Sequence, residues 1–414
     1  MKSKKLVEWL GFADPPDFSK SKSIGRFLGF AISFFAIFYV IFCAYLFLDM
    51  LRAVFHVHPY NSDNRGAELR GMGLLLAALI GAPFVIWRTN SAAKQARISE
   101  EALFNQRYEA ASVGLAARRE TTRVVDVKDE AILREIEDDL VQRLSSIDAL
   151  EGLVSEREDV APRVVRLLAA YIRGNFATTC LDPTEAIVSR KIPRPDIQAA
   201  VSSIGRLLET AHLFEDLRLD LKACNFDGVN FVGSFRAVDF SSSRMEVCVF
   251  RDANLEGAIF SRCLLNYSDF MGSNLKGAAI FKATFNKPDA VPGGFFSPFN
   301  GADVTGLVLA GSDISAITYM SPDELSKTFG TLDTKVSDEF SELMPDKKEH
   351  ARAHTVHQAN SSVKNEEEIT LVQQVSETGF LNWFPYNSSD LAMNHCLSKL
   401  YSELGLNGFP YNNQ

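Results

Sequence analysis

A chain of 414 residues is too long for one ordinary core and is expected to hold two or more modules. Its formal charge of −9 belongs to no single part. Six cysteines, at 43, 180, 224, 248, 263 and 396, show no CxxC pair and no even set of short spacings, which excludes a zinc ribbon and a disulfide scaffold.

Residues 1–26 form a basic leader, with Lys2, Lys4, Lys5, Lys20, Lys22 and Arg26 against Glu8, Asp14 and Asp17. Residues 27–48 follow without a single charge and would extend about 33 Å as a helix, enough to cross a bilayer. The run is too long for a signal peptide, and no small-x-small cleavage pattern follows it before Asp49. A second apolar run, residues 71–87, sits at the short end of the spanning range, with Pro83 tolerable in a membrane helix. A buried soluble hairpin fits poorly, because the first run is uniformly lipophilic. Lys and Arg are dense in the leader and again at Arg88, Lys94, Arg97 and Arg107, but sparse in the connector 49–70. Both termini are therefore expected in the cytoplasm, with the connector outside. The connector holds His56 and His58, an incomplete metal set that reads as a solvated loop. Gly25, Gly29 and Ser33, and Gly73, Ala77 and Gly81, make small-residue stripes. They either pack the two helices together or drive homo-oligomerisation.

Residues 88–208 read as a helical block. A charged helix is expected from about Ser91 to Arg119, then three short helices between Val124 and Asn175. One runs over Asp129 to Leu153 with Ile132, Leu133, Ile136, Leu140, Leu144, Ile147 and Leu150 at helical spacing, and Pro162 opens the next. After a loop from Phe176 to Pro193, residues 194–208 form an amphipathic helix with Pro195 at its start.

Over residues 216–316 the period changes to five. Phe235, Phe240, Met245, Phe250, Leu255, Phe260, Leu265, Phe270, Leu275, Ile280 and Phe285 recur without a slip. A mostly small residue stands two places before each, from Gly233 to Ala283. Five matches neither the helix nor the strand period, so the segment is an internal repeat with its own geometry. An earlier frame, Leu221, Phe226 and Phe231, joins it through a four-residue step. A later one, Phe299, Val304, Leu309 and Ile314, follows an excursion over residues 286–296 that contains two prolines and two glycines. Cys224, Cys248 and Cys263 fall at the small position and read as core filler. Between Asp216 and Phe285 eight acids face eight bases, so the column is neutral.

Residues 317–343 are expected to cap the column, with a capping box at Ser321, Pro322 and Glu324 opening a short helix. The tail, 344–414, places His350, His354 and His357 at i, i+4 and i+7 of a possible helix. They read as a polar helix face rather than a metal site, since no carboxylate or further His completes a ligand set. The tail also carries Phe-Pro-Tyr-Asn twice, at 384–387 and 409–412, apolar enough to dock on the column or on a partner.

The period of five, and segments such as ANLEG (253–257) and SNLKG (273–277), resemble the pentapeptide-repeat family. The resemblance implies a right-handed, four-sided β-helix with four pentapeptides per coil. Residues 105–115, 147–175 and 194–206, in that order before the repeats, are similar to a bacterial group of membrane-anchored pentapeptide-repeat proteins. The likeness spans roughly residues 20–345. Ala149-Leu150-Glu151 and Ala170-Tyr171-Ile172-Arg173 match the group's pattern, whereas Glu158-Asp159 stands where the group has Asp-His. The fold class implied is a transmembrane two-helix hairpin, an α-helical cytoplasmic block and a right-handed quadrilateral β-helix. The location implied is a bacterial inner membrane. Some members of the wider family mimic DNA and bind topoisomerases, which needs a dense anionic surface. This neutral column lacks one, and no nucleic-acid partner is expected.

No phosphate loop, G-x-S-x-G or HExxH occurs, and the column's carboxylates are expected at solvated outward positions. No catalytic residue, cofactor or metal is expected. Two functions remain. One is a membrane-tethered, non-catalytic scaffold whose column binds a protein of unknown identity. The other is a sensor-effector that oligomerises through its two spans and perturbs the membrane in a stress or anti-phage response; no intramembrane charge marks an ion path for it.

Overall fold

The computed structural model describes residues 22–55, 65–126, 131–177, 192–285, 298–317, 320–358, 366–385, 387–388, 401–402 and 404–411. Most of the leader, residues 56–64 of the connector with His56 and His58, most of the 176–193 loop and the excursion at 286–296 lie outside the described residues; α-helix reaches into the connector from both sides, to Val54 and from Arg65. The chain divides into two compact units, Met1–Gln106 and Arg107–Gln414.

The first unit holds α1 (Lys22–Val54) and most of α2 (Arg65–Gly114). Both are long and apolar enough to cross a membrane. The Tyr39 hydroxyl donates to the Leu79 carbonyl, tying the two together. The apolar run ending at Trp87 and the charged helix expected from Ser91 are one unbroken helix. Residues 84–113 contain no Gly or Pro and are rich in strong helix formers, so nothing stops the helix where its surface changes from apolar to charged.

In the second unit the helix expected from Asp129 is replaced in its first half by strand. An antiparallel hairpin, β1 (Arg118–Asp126) and β2 (Ala131–Asp138), pairs from Arg118 with Asp138 to Asp126 with Ala131. Ile132, Leu133 and Ile136 satisfy helical spacing, but Thr121, Thr122, Val124 and Val125 give the preceding segment strong strand character. Once one strand exists, its neighbour pairs with it. The helix proper is α3 (Leu140–Glu156), started by Asp139, whose side chain accepts the Gln142 N–H at 3.1 Å. It packs with α4 (Ala161–Phe176) and α5 (Pro195–His212), each opened by a proline in its first turn. Ile147, Leu150, Val164, Leu168, Ile172, Val201, Ile204 and Leu208 form the core between them. Full burial of each contributes roughly 1.5–3 kcal/mol.

From Leu221 the chain winds into a column. Parallel bridges join Asp239 to Ile259, Arg244 to Leu264, Val249 to Asp269 and Asn254 to Asn274, in each case 20 residues apart, so four pentapeptides make one coil. Among the described residues the column contains no extended strand. Each side is three residues between two-residue corners, which leaves room for one bridge. All eleven bulky positions from Phe235 to Phe285 are fully buried. They stack in ladders: Phe231, Phe250 and Phe270 at 4.4 and 4.6 Å between centroids, Phe240 and Phe260 at 5.2 Å. These spacings are near the distance between paired strands, so coil pitch and ring stacking reinforce each other.

The small position has a second use. Ser243 and Cys248 donate to the Leu221 and Phe226 carbonyls one coil back, at 3.1 and 3.0 Å, stitching successive coils from inside. Burial pushes the thiols of Cys224 and Cys263 up to about 12, and that of Cys248 well above its usual value, which makes all three inert fillers. Gly233 departs from the pattern: it is exposed and has φ of +100°. Bridged partners are 19 residues apart before the four-residue step, as in Asp220 with Asp239. Across the excursion they are 29 apart, as in Asn274 with Asp303. The coils keep register on both sides of each irregularity.

The column does not stop at residue 316. Val308 bridges Phe329, Asp313 bridges Lys335, and Thr331 bridges Phe384. Helix α6 (Pro322–Ser326) has the expected capping box, with Ser321 Oγ accepting the Glu324 N–H and Glu324 Oε2 accepting the Ser321 N–H. It interrupts a further rung rather than closing the column. The end is covered by buried Phe380, Trp383 and Phe384, with α7 (Asp338–Leu343), α8 (Lys347–Gln358) and α9 (Glu366–Glu377) beyond α6 in the chain.

Candidate interaction surfaces of the column

Where Asp or Asn stands before a bulky position, it often has a local structural task. Asp239, Asn254, Asp269, Asn274, Asp303 and Asp313 each accept, through a side-chain oxygen, the backbone N–H two residues on. Such Asx turns set the corner that follows. At Asp313 burial pushes the carboxyl up. Hydrogen bonds from Ser315 and Lys335 outweigh that and hold it below the usual range. The second corner residue takes positive φ, in glycines and also in Ala237, Ser242, Val247 and Arg262. A non-glycine residue there costs about 1 kcal/mol. The coil hydrogen bonds, such as Arg262 N–H to the Phe281 carbonyl at 2.7 Å, oppose that cost.

Not every outward charge is solvated, contrary to expectation. Asp227, Arg244 and Glu246 are buried, with Arg244 Nε 2.9 Å from Asp227 Oδ2 and Nη2 2.7 Å from Glu246 Oε2, and Asn266 donates to Glu246 at 3.0 Å. Buried charges persist only when paired in this way.

The helical block grips the column where one residue is skipped. Gly205 on α5 lies against Gly233, its carbonyl accepting the Ser234 N–H at 2.8 Å, and a Cβ on either glycine would overlap the other backbone. Gln198 exchanges two hydrogen bonds with the Asn230 backbone, at 2.7 and 3.0 Å. Glu209 Oε1 accepts from Ser234 and from Asn254. The shortened corner and the helical glycine thus belong to one joint. Residues of the helical block also hold this assembly together. Glu151 accepts from Arg206 at 2.6 and 2.7 Å and from Ser203 at 2.7 Å, and its carboxyl is lowered chiefly by Arg206. Tyr171 donates to buried Asp196 at 2.7 Å, and Arg173 pairs with Asp220 on the column. Asp196 also binds Arg194 at 2.8 Å and lies 3.7 Å from buried Arg143, which pairs with Asp138 at 2.6 Å. Sequence reasoning missed this cluster, whose members are spread from residue 138 to 196.

The column's corners differ in exposure. One carries Val232, Arg251, Asp252, Met271, Gly272, Asn300 and Gly301, exposed in each successive coil, with Val232 at 55% and Met271 at 37%. The next corner along the chain is covered. Gly257 and Gly277 are buried under Pro410 and Tyr411, and Gly306 under Tyr401 and Leu406. Tyr401 and Tyr411 join Val308, Ala310, Phe329 and Phe384 in one apolar cluster. Phe384 of the first Phe-Pro-Tyr copy caps the column's end against Phe329, and Phe409 to Tyr411 of the second lie along its side.

The tail histidines do not form a joint outward face. His350 is buried with Nε2 2.9 Å from the Phe380 carbonyl, and His354 is buried with its ring 4.7 Å from that of Phe384. Burial lowers the His350 pKa. They pack the end cap, and among the described residues no group of His, Cys, Asp or Glu could hold a metal ion.

Residues 248–286 match the family described as Pentapeptide repeats, in eight copies. No curated protein matches the chain. Among solved structures, QnrB1, a plasmid-mediated fluoroquinolone resistance protein, is similar at 17% identity over 30% of this chain and 56% of its own, with a TM-score of 0.19. This chain thus spans little more than half of that relative. Rfr23, a pentapeptide repeat protein from the cyanobacterium Cyanothece 51142, shares 17% identity over 28% of this chain and 91% of its own, with a TM-score of 0.17. A pentapeptide repeat protein of the Arabidopsis thaliana thylakoid lumen shares 16% over 26% and 74%, with a TM-score of 0.15. No catalytic family is indicated. Such repeats imply a right-handed quadrilateral β-helix, in keeping with the 20-residue coil. Residues 248–286 of the chain are pentapeptide repeats.

Proposed function

We propose that the protein is a membrane-tethered, non-catalytic scaffold. Two spans fix it in a bacterial inner membrane with both termini cytoplasmic, and the exposed corner of the column binds another protein. Pentapeptide-repeat proteins generally act as interaction scaffolds. The observation that carries the reading is the corner formed by Arg251, Met271 and Asn300, open in these successive coils while the neighbouring corner is filled by the chain's own tail. A rigid ladder of this kind loses little conformational entropy on binding. Tethering and orientation are supported by the two apolar helices and by the Lys and Arg excess flanking them. The test is a photocrosslinking amino acid at Met271 in native membranes, with one at Ile259 as control. A discrete adduct specific to Met271 is expected, and its absence at native expression removes the reading.

The sensor-effector alternative draws on one observation: α2 carries the chain unbroken from its apolar stretch to Gly114. On that reading Gly73→Leu or Gly81→Leu abolishes dye influx in overexpressing cells. Harmless overexpression together with a monomeric protein in detergent ends it.

A further inference from the structure

We propose that the covered corner of the column is a binding site for a Phe-Pro-Tyr segment, held in cis by residues 409–411 and open to a partner's segment of the same chemistry only when this strap lifts. The inference rests on the scaffold reading and narrows the partner to one chemistry.

The strap is seated as a ligand is seated. The Phe409 ring has two guanidinium groups over it, 5.5 Å away at Arg218 and 5.3 Å at Arg236, with the His212 ring 5.5 Å away edge-on. Two cations over one ring favour an aromatic residue at that place. Pro410 rests on Gly257 and Tyr411 on Gly277, where any Cβ would overlap the ring above. The floor is thus bare backbone, with the glycines already in the left-handed corner conformation. Polar groups then fix direction and register. Arg236 donates to the Phe409 carbonyl at 2.7 Å, Arg218 donates to the Pro410 carbonyl, and the Tyr411 hydroxyl donates to Glu256 Oε1 at 2.5 Å. Every one of these groups except His212 comes from the column or its first turn, so the site exists before the strap arrives.

The strap itself is weakly structured. Residues 404–411 form no helix or strand, and Gly405 and Gly408 stand at positive φ in open space. Its internal backbone bonds are local, such as Leu406 N–H to the Tyr401 carbonyl and Tyr411 N–H to the Gly408 carbonyl, both 2.8 Å. Its shape is therefore imposed by the corner. A segment tethered to its own site competes at an effective concentration in the millimolar range, which hides the site from dilute partners. Phe384 of the other copy has different surroundings: it lies against Phe329 and His354, in the end cap.

The experiment uses the full chain in detergent and a fluorescein-labelled peptide with the sequence of residues 404–414. Phe409→Ala loosens the strap, and this variant is expected to bind the peptide about tenfold or more tightly than the unsubstituted chain, since the open fraction scales the apparent affinity. Adding Arg236→Ala is expected to weaken binding again by about tenfold. Equal binding by the unsubstituted and Phe409→Ala chains overturns the proposal, as does binding indifferent to Arg236. Should Phe409→Ala fail to fold, Tyr411→Phe removes only the contact with Glu256. Peptide binding by that variant no tighter than by the unsubstituted chain overturns the proposal equally. If the peptide behaves as expected but Met271 crosslinks to nothing, the scaffold reading fails and the site stands as an internal latch. A Met271 adduct with no peptide binding removes the site alone.

Discussion

Two corners of the column share one backbone design and differ in what lies over them. Gly257 and Gly301 both sit at the second corner position with φ of +64° and +70°. Above Gly257 lies Pro410, whereas nothing approaches a Cβ on Gly301 closer than 4.0 Å. Identical local geometry thus serves as a packed floor on one corner and as open surface on the other. A pentapeptide repeat supplies interchangeable edges, and the segments outside the repeat decide which edge remains for a partner.

The comparison can be broken most severely from within. Phe260→Asp places a carboxylate in the dry interior between Phe240, Phe250 and Phe270, costs several kcal/mol, and is expected to abolish the cooperative thermal transition along with both corners. A transition shifted by only a degree or two means that the inward register is wrong. Gly257→Val against Gly301→Val separates the corners directly. Both suffer the same backbone strain, but only the first also ejects Pro410. Protease cleavage within residues 401–411 is expected to accelerate at least several-fold for Gly257→Val and not for Gly301→Val.

Acidification should loosen the covered end of the column and spare the open corner. The His350 pKa is depressed by burial, so its contribution is complete above the unfolded value of about 6.5 and is lost as pH falls through the lower folded value. Amide exchange of Phe384, bonded to the Gly330 carbonyl at 2.8 Å, is expected to rise between pH 7 and 5 beyond its intrinsic change. Asn274, deep in the column, is expected to follow the intrinsic rate, and His350→Gln should remove the difference. The smallest effect belongs to Asp252→Ser on the open corner, within about 0.5 kcal/mol in chemical denaturation. A larger loss would show that this corner is covered in solution.

Much of the column was legible because its information is local. Each pentapeptide repeats the same demand, a large residue inward and a small one beside it, so a period of five exposes the inward set directly. The same holds for the apolar helices and for the capping box at Ser321, which are decided within a few residues. The hairpin at 118–138 was misread because Ile132, Leu133 and Ile136 suit either period, and strand pairing is decided by a neighbour rather than by the strand. His350 and His354 read as a polar face because helical spacing says which residues share a side, not what covers it.

The residues of this chain alone determine a two-helix apolar segment, a helical block and a repeat column of period five, since periodicity, propensity and excluded volume act over short distances. Only the tertiary structure decides that Gly205 fills the place of the skipped residue at Gly233, that Arg143, Asp196 and Arg194 close a buried cluster, and that the last Phe-Pro-Tyr covers one corner. Those contacts join positions up to 192 residues apart, as Arg218 and Pro410 do. Their stability depends on desolvation and shape match between surfaces that exist only once each part has folded, and neither quantity is written in the spacing of side chains along a chain.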